Sequence, residues 1–404
     1  MHGQTVASGK SLLDGLTLVF HFAAMQVPLL DLKLQYAPLK ARILAEIEAV
    51  TDSQTLILGP RTEEFERAVA AYCGAAHAIG VSSGTDAELV LLMALGIGAG
   101  DSVITTPYTF FSTASCISRL GARPVFADID PATFNISPAS LEEALKRTRD
   151  ARAIIPVHLY GQCADMESIL ALGKQYGVPV LEDAAQALGA RHSLGAAGAM
   201  GDAGWFSFYP TKNLGAFGDA GMVVCRDDAL ASRIRILRNH GMEPRYYHPL
   251  IGGNFRIDAI QSAVLSVKLP YLDSWSAGRS ACAAFYREEF ARRGLSSIVT
   301  LPVEAFADRG VEYHHIYNQF IIRAPRRDAL RDHLSRAGIG SEIYYPLPLH
   351  LQECFRYLNH HEGDFPEAER AARETLALPI FPELTREQLS FVVDRISAFY
   401  EGGD

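Results

Sequence analysis

The run SFYPTKNLGAFGDAG at 207–221 sets one lysine, Lys212, between an apolar, strand-like approach and a glycine-rich turn. Glycines there let the backbone come close to a ligand held by the lysine. By residue type alone a loop lysine is usually an exposed surface charge, so its company matters. Residues 178–186, VPVLEDAAQ, form an apolar strand that delivers Asp183 at its end, a position where an Asp also serves as an ordinary turn cap. Together the two types match what pyridoxal phosphate requires: an amine for a Schiff base, and a carboxylate that keeps the ring nitrogen protonated so that the ring acts as an electron sink. A third piece, SSGTDA at 82–87, opens the helical run DAELVLLMALG. Free amides, hydroxyls and the helix dipole at such an N-terminus make a seat for phosphate, although an N-cap turn uses the same residues. The strand-and-turn TPYTFFS at 106–112 adds aromatics; adjacent phenylalanines normally pack in a core, but one could lie flat on a cofactor ring.

Other chemistries fit less well. GIGAGD around Gly96 follows a helix and precedes a strand, the reverse of a dinucleotide-binding turn. The chain has no P-loop, HExxH or serine-nucleophile elbow, and the pairs His314-His315 and His360-His361 lack metal-ligand spacing, so no metal is expected.

Elements that could position these residues alternate from about Thr62 to Arg226. Helical periodicity in TEEFERAVAAYC, DAELVLLMALG, SLEEALKRT and MESILALGKQYG is separated by the apolar or β-branched runs SVITTP, RPVFADID, AIIPVHLYG, PVLEDAA, GWFSFYP and MVVCR. Continuous apolar strands between helices predict an α/β unit with a mainly parallel sheet covered on both faces and active residues at strand ends. After about Gly241 the texture changes to a Gly-, Pro- and Tyr-rich loop, the helices FRIDAIQSAVLSVKL and SWSAGRSACAAFYREEFARRG, the strand NQFIIR, the helix RRDALRDHLSRAG, a short strand SEIYYP and a final helix TREQLSFVVDRISAFY. This predicts a smaller α+β domain.

At 404 residues, 49% hydrophobic and 21% charged, the chain has room for a large core and lacks the composition of disorder. A net charge of −9 argues against nucleic acid and anionic membranes as partners. Six scattered cysteines without CxxC read as reduced, mostly buried thiols of a cytoplasmic protein. The leading segment 1–26 reads as an N-terminal extension, its apolar stretch from Leu16 to Met25 being interrupted by His21 and lacking a basic n-region. The expected division is 1–26 extension, 27–270 large domain and 271–404 small C-terminal domain.

The ordered set SSGTDA, TPYTFFSTA, VHLYGQCADM, EDAAQALGA, SFYPTKNLGAFGDAG, RNHGM, GGNFRIDAIQSAVL and YYPLPLHLQ resembles the DegT/DnrJ/EryC1/StrS sugar aminotransferase family. The resemblance spans about Val27 to the C-terminus. It implies an aspartate-aminotransferase-like fold of type I and a homodimer with shared active sites. Lys212 would be the Schiff-base lysine, Asp183 the ring-nitrogen partner, Gln186 a contact to the ring hydroxyl and Phe110 the stacking aromatic. Gly84, Thr85 and Ser207 would hold the phosphate, with Asn254 reaching it from the partner subunit. Tyr345 and His350 would approach substrate. Ala220 departs from the commoner second glycine of GDGG. The implied activity moves an amino group from L-glutamate to a keto group of a nucleotide-linked sugar, 3-keto favoured over 4-keto, in amino-sugar, polysaccharide or glycosylated-metabolite biosynthesis. Two alternatives share the fold: a non-catalytic regulator that binds pyridoxal phosphate, and a sugar dehydratase, in which a histidine replaces the lysine that stands here as Lys212.

Overall fold

A computed structural model describes residues 25–402. The expected extension therefore lies outside the described residues, except for Met25 and Gln26. Seven short strands form the large unit: β1 (His77–Val81), β2 (Ser102–Thr105), β3 (Arg123–Phe126), β4 (Ala151–Ile154), β5 (Leu181–Asp183), β6 (Ala203–Ser207) and β7 (Gly221–Cys225). β3, β2 and β4 pair in parallel, as do β5 and β6, while β7 runs antiparallel between β6 and β1. Parallel bridges Ile154–Val180 and Val157–Asp183 join the two groups into one sheet of order β3-β2-β4-β5-β6-β7-β1. Only β7 is reversed, so the sheet is mainly parallel, as the apolar runs predict.

Successive strand residues point to opposite faces, and both faces are dry. Trp205 joins a core with Val103 and Leu89, while its neighbour Phe206 joins Phe65, Phe208 and Val264 on the other side. Each fully buried side chain of this size contributes about 1.5–3 kcal/mol, which explains why these strands carry no polar alternation. β1 is absent from the apolar runs noted in the sequence because HAIGV is short and opens on a polar residue. It is fixed by its ladder to β7 and by a 2.8 Å hydrogen bond from the Gly80 amide to Glu66 Oε1.

The 21-residue helix Leu272–Arg292 passes from one unit into the next. Leu272 and Trp275 belong to the first core, and Cys282 to Phe290 belong to a second. That second core is built on the antiparallel pair β8 (Phe320–Arg323) and β9 (Thr375–Leu378), with helices Arg327–Arg336 and Arg386–Glu401. Val27 is buried there too, in a parallel bridge to Ile339, so the start of the described chain packs on the C-terminal unit.

The expected strand SEIYYP is not formed; it shrinks to a single bridge, Glu342–Ala377. The chain then leaves the sheet because the Tyr344 carbonyl is taken by side chains instead of a ladder, accepting from the hydroxyls of Tyr108, at 2.7 Å, and Tyr160. Of the six cysteines, five are buried and Cys354 is exposed, all as free thiols.

Candidate active site

Parallel strands deliver their C-terminal ends to one edge, and the predicted residues gather there. β5 ends on Asp183, which is 4% exposed. Its Oδ2 accepts from Thr113 Oγ1 at 2.8 Å and its Oδ1 from the Ala185 amide at 3.1 Å. Burial raises its pKa, and the two donors, Lys212 and His158 pull it back toward the charged form. Lys212 follows β6 in a tight turn closed by a 2.8 Å bond from its own amide to the Tyr209 carbonyl. Burial lowers its ammonium to about 8, partly offset by the Asp183 charge. The two groups sequence reasoning paired thus act on each other's charge at the same edge of the sheet.

Gln186 is held on two sides: its Oε1 accepts from the Tyr160 amide at 2.7 Å, and its Nε2 donates to the Tyr345 hydroxyl at 3.1 Å. Tyr345 in turn lies 6.3 Å, centroid to centroid, from Phe110, whose ring is 54% exposed at the mouth of the pocket. Tyr345 therefore joins the site through Gln186 and Phe110.

Gly84 opens the helix Gly84–Ala94, capped by Ser83, whose hydroxyl accepts from the Asp86 amide at 3.0 Å. A Cβ on Gly84 would lie 2.7 Å from Ser207 Cβ, and one on Gly221 would lie 2.2 Å from the Ser83 carbonyl. Only glycines allow the helix N-terminus, with Thr85, to close against the end of β6. Ser207 Oγ accepts from the Tyr209 amide at 3.3 Å and keeps its own proton to donate. A narrow cradle of helix amides and hydroxyls beside a lysine and a buried carboxylate fits pyridoxal phosphate at both its phosphate and its ring nitrogen.

Asn254 is exposed at the edge of this cluster: its segment is bridged to Asn239, and the next residue, Phe255, accepts from the Ser82 amide at 3.0 Å beside the Gly84 seat. The other predicted residue is not brought there. His350 is 2% exposed, with Nε2 3.1 Å from Glu369 Oε1 and its ring 4.7 Å from that of Phe365. Its described contacts belong to the packing of helix Pro366–Glu374.

Sequence reasoning passed over four residues. Thr113 stood inside the quoted TPYTFFSTA, and a hydroxyl one turn into a helix beside a strand-end carboxylate is the signal that could have found it. Tyr160 contributes through its amide, which no motif marks. His158, fully buried, pairs Nε2 with Glu182 Oε2 at 2.8 Å, and its amide donates to the Asp183 carbonyl at 2.9 Å. Glu88 is the fourth. It lies one turn beyond Thr85, fully buried, with neither carboxylate oxygen hydrogen-bonded among the described residues. Burial, and then the nearby Asp183 charge, hold its pKa well above the usual carboxylate value.

A stability test follows from Glu88. Below the unfolded pKa near 4.5 both states hold the proton. Above it the unfolded chain ionises while the folded one stays protonated, so stability falls as pH rises, by up to about 1.4 kcal/mol per unit. Glu88→Leu removes that fall. Urea midpoints should show the variant gaining on the parent as the pH is raised from 5 to 8; an equal difference at both pH values would show that Glu88 is not protonated.

Comparison with known proteins places this geometry. The profile of the DegT/DnrJ/EryC1/StrS aminotransferase family matches residues 38–397. The chain is 49% identical over 376 residues to a "pleiotropic regulatory protein" of Geobacillus stearothermophilus, covering 93% of this chain and 99% of that one. It is 42% identical to the UDP-N-acetyl-3-dehydro-alpha-D-glucosamine 3-aminotransferase of Acidithiobacillus ferrooxidans, covering 93% and 98%. Among solved structures it is similar to S. venezuelae DesV in complex with a ketimine intermediate, with TM-score 0.88, 42% identity, and coverage of 94% and 100%.

Proposed function

The chain belongs to the DegT/DnrJ/EryC1/StrS aminotransferase family, a pyridoxal-phosphate-dependent transaminase, and from that premise we propose that it moves an amino group from L-glutamate to the keto group of a nucleotide-linked sugar, with the 3-keto carbon favoured over the 4-keto. The observation that carries the reading is that Asp183, at the end of β5, and Lys212, in the turn after the neighbouring β6, act on each other's charge, with Ser207 at the end of β6 closing against the helix start at Gly84 and Thr85. The C3 preference rests on the A. ferrooxidans relative, whose name specifies a 3-dehydro sugar and a 3-amino product.

When bound, pyridoxal phosphate supplies an aldehyde to carry nitrogen and a ring to draw electrons from the carbon that loses its proton. Gly84, Thr85 and Ser207 would hold its phosphate and Phe110 would cover the ring. Asp183 would keep a proton on the ring nitrogen, its two oxygens already fixed by Thr113 and the Ala185 amide. Lys212 Nζ would move the proton in each half: from Cα of the donor to the cofactor's aldehyde carbon, and, once the keto sugar has entered, from that carbon to the sugar carbon that receives the nitrogen. With its pKa at about 8, the amine is close enough to neutral pH to serve as base and acid in turn. Gln186, tied between Tyr160 and Tyr345, would contact the ring's hydroxyl side.

Asn254 is exposed, and the loop before it presents Ile251 at 92% and Tyr246 at 73% exposure. These support a homodimer in which a second copy covers the loop. No described helix is long and apolar enough to cross a membrane, and the cysteine pattern goes with a cytoplasmic setting.

The G. stearothermophilus relative's name favours one rival, a regulator that binds cofactor without turnover. The deciding assay mixes the holoenzyme and L-glutamate with UDP- and dTDP-linked 3-keto and 4-keto sugars, following 2-oxoglutarate and identifying products by mass and NMR. A 3-amino sugar formed in step with 2-oxoglutarate is the expected result. A 4-amino product corrects the position, and the absence of both products supports the regulator.

A further inference from the structure

Lys212 sits on a loop, residues 208–218, whose neck is held from outside by one helix. Within the loop, the Ala216 amide donates to the Phe208 carbonyl at 2.8 Å, and Gly215 lies so near Pro210 that a Cβ there would be 2.2 Å from the Pro210 carbonyl oxygen. Phe208, Leu214 and Ala216 of the loop are buried in the first core, but the loop is not packed all round. A cavity of about 340 Å³ lies against it, lined in part by Tyr36, Leu39, Ile43 and Phe217. Next to that space, at Gly215 and Phe217, polar contacts add to the packing in holding the neck.

Helix Ala259–Lys268 makes those contacts. Gln261 clasps the Phe217 peptide at both ends, accepting from its amide at 2.8 Å and donating to its carbonyl at 3.2 Å. Two helical turns on, and so on the same face, Lys268 Nζ donates to the Gly215 carbonyl. Lys268 is only 5% exposed and has no carboxylate partner among the described residues. The rings of Phe217 and Trp275 lie 6.0 Å from its nitrogen. Burying an ammonium without a counter-ion costs stability. A methionine would fill the same space without that cost, but could not hold the carbonyl.

We propose that Lys268 and Gln261 are positioning residues for Lys212, fixing the neck of its loop at Gly215 and Phe217 so that the Lys212 amine stays in the Asp183 pocket. They act through the loop backbone and touch no reacting atom. This assignment rests on Lys212 being the working amine.

Lys268→Met tests it. In the holoenzyme, kcat should fall about 10- to 100-fold, the scale of a displacement near 1 Å, with the KM for L-glutamate within about threefold. In the cofactor-stripped protein, the pH profile of Lys212 acetylation, read by peptide mass, should move from a midpoint of about 8 toward that of a free lysine. Lys268→Arg, with the adjoining cavity to accommodate it, should restore much of both. Unchanged kcat together with an unchanged acetylation profile would overturn the proposal. If Lys268→Met does not fold, Gln261→Ala releases the same neck at Phe217 and is judged by the same two readouts. Should Lys212→Ala keep its turnover while Lys268→Met still shifts the acetylation profile, the working-amine reading fails and the loop contact stands.

Discussion

Lys212→Ala is expected to lose at least about 10⁴-fold in turnover, the upper end of what general acid–base catalysis alone supplies, because the same amine is also the cofactor's covalent anchor. The measurement is 2-oxoglutarate release under single-turnover conditions, and a rate within tenfold of the parent would remove Lys212 from the mechanism. The fold should survive. The lysine's pKa is about 8 in the folded chain against 10.5 when free, so below pH 8 the native state carries a cost of roughly 3 kcal/mol for holding the charge. Between pH 8 and 10.5 the unfolded chain binds the proton that the folded one has shed, and parental stability rises with pH. The cofactor-free alanine variant should be no less stable at pH 7 and should lack that rise. A destabilised variant with the same pH slope would mean that the amine is not buried as described.

Asp183→Asn should lower turnover by about 10³-fold, the scale of losing one preorganised electrostatic partner, while the cofactor is still bound. The amide can keep its place between Thr113 and Ala185, where the carboxylate accepts at 2.8 and 3.1 Å. What disappears is the negative charge needed to hold a proton on a ring nitrogen. Burial raises the Asp183 pKa, so above 3.8 the folded chain resists an ionisation that the unfolded chain undergoes, and parental stability falls as pH rises. The asparagine variant should therefore match or exceed the parent's melting temperature at pH 7. Turnover within tenfold of the parent would reassign the ring-nitrogen role.

Lys212 and Asp183 were legible because each follows or ends an apolar run, and neighbouring parallel strands deliver their ends to one edge of the sheet. Gly84 was legible for a related reason, since small residues at a helix start mark a close approach, whereas Ser207, at the end of β6, was readable only through the family resemblance. Tyr345 was readable only as one residue of a motif: its link to Gln186 spans 159 positions and no local pattern encodes it. His350 shows the converse, for a histidine in the same motif is turned into the core by Glu369 and Phe365. The strand expected at SEIYYP failed because tyrosine hydroxyls from the large unit captured the Tyr344 carbonyl that a ladder would have used.

The sequence by itself determined the sheet apart from β1, its mainly parallel order, and the presence of Asp183 and Lys212 at its carboxyl edge, since these follow from local periodicity and from residue types at element ends. Tertiary structure alone decided the rest. It brought Thr113 to Asp183, left Glu88 without a donor, and set Gln261 and Lys268 against the neck of the Lys212 loop. These are contacts between segments 44 to 70 residues apart, or the absence of such contacts. Burial and hydrogen-bond satisfaction become defined only when the whole chain has closed around them.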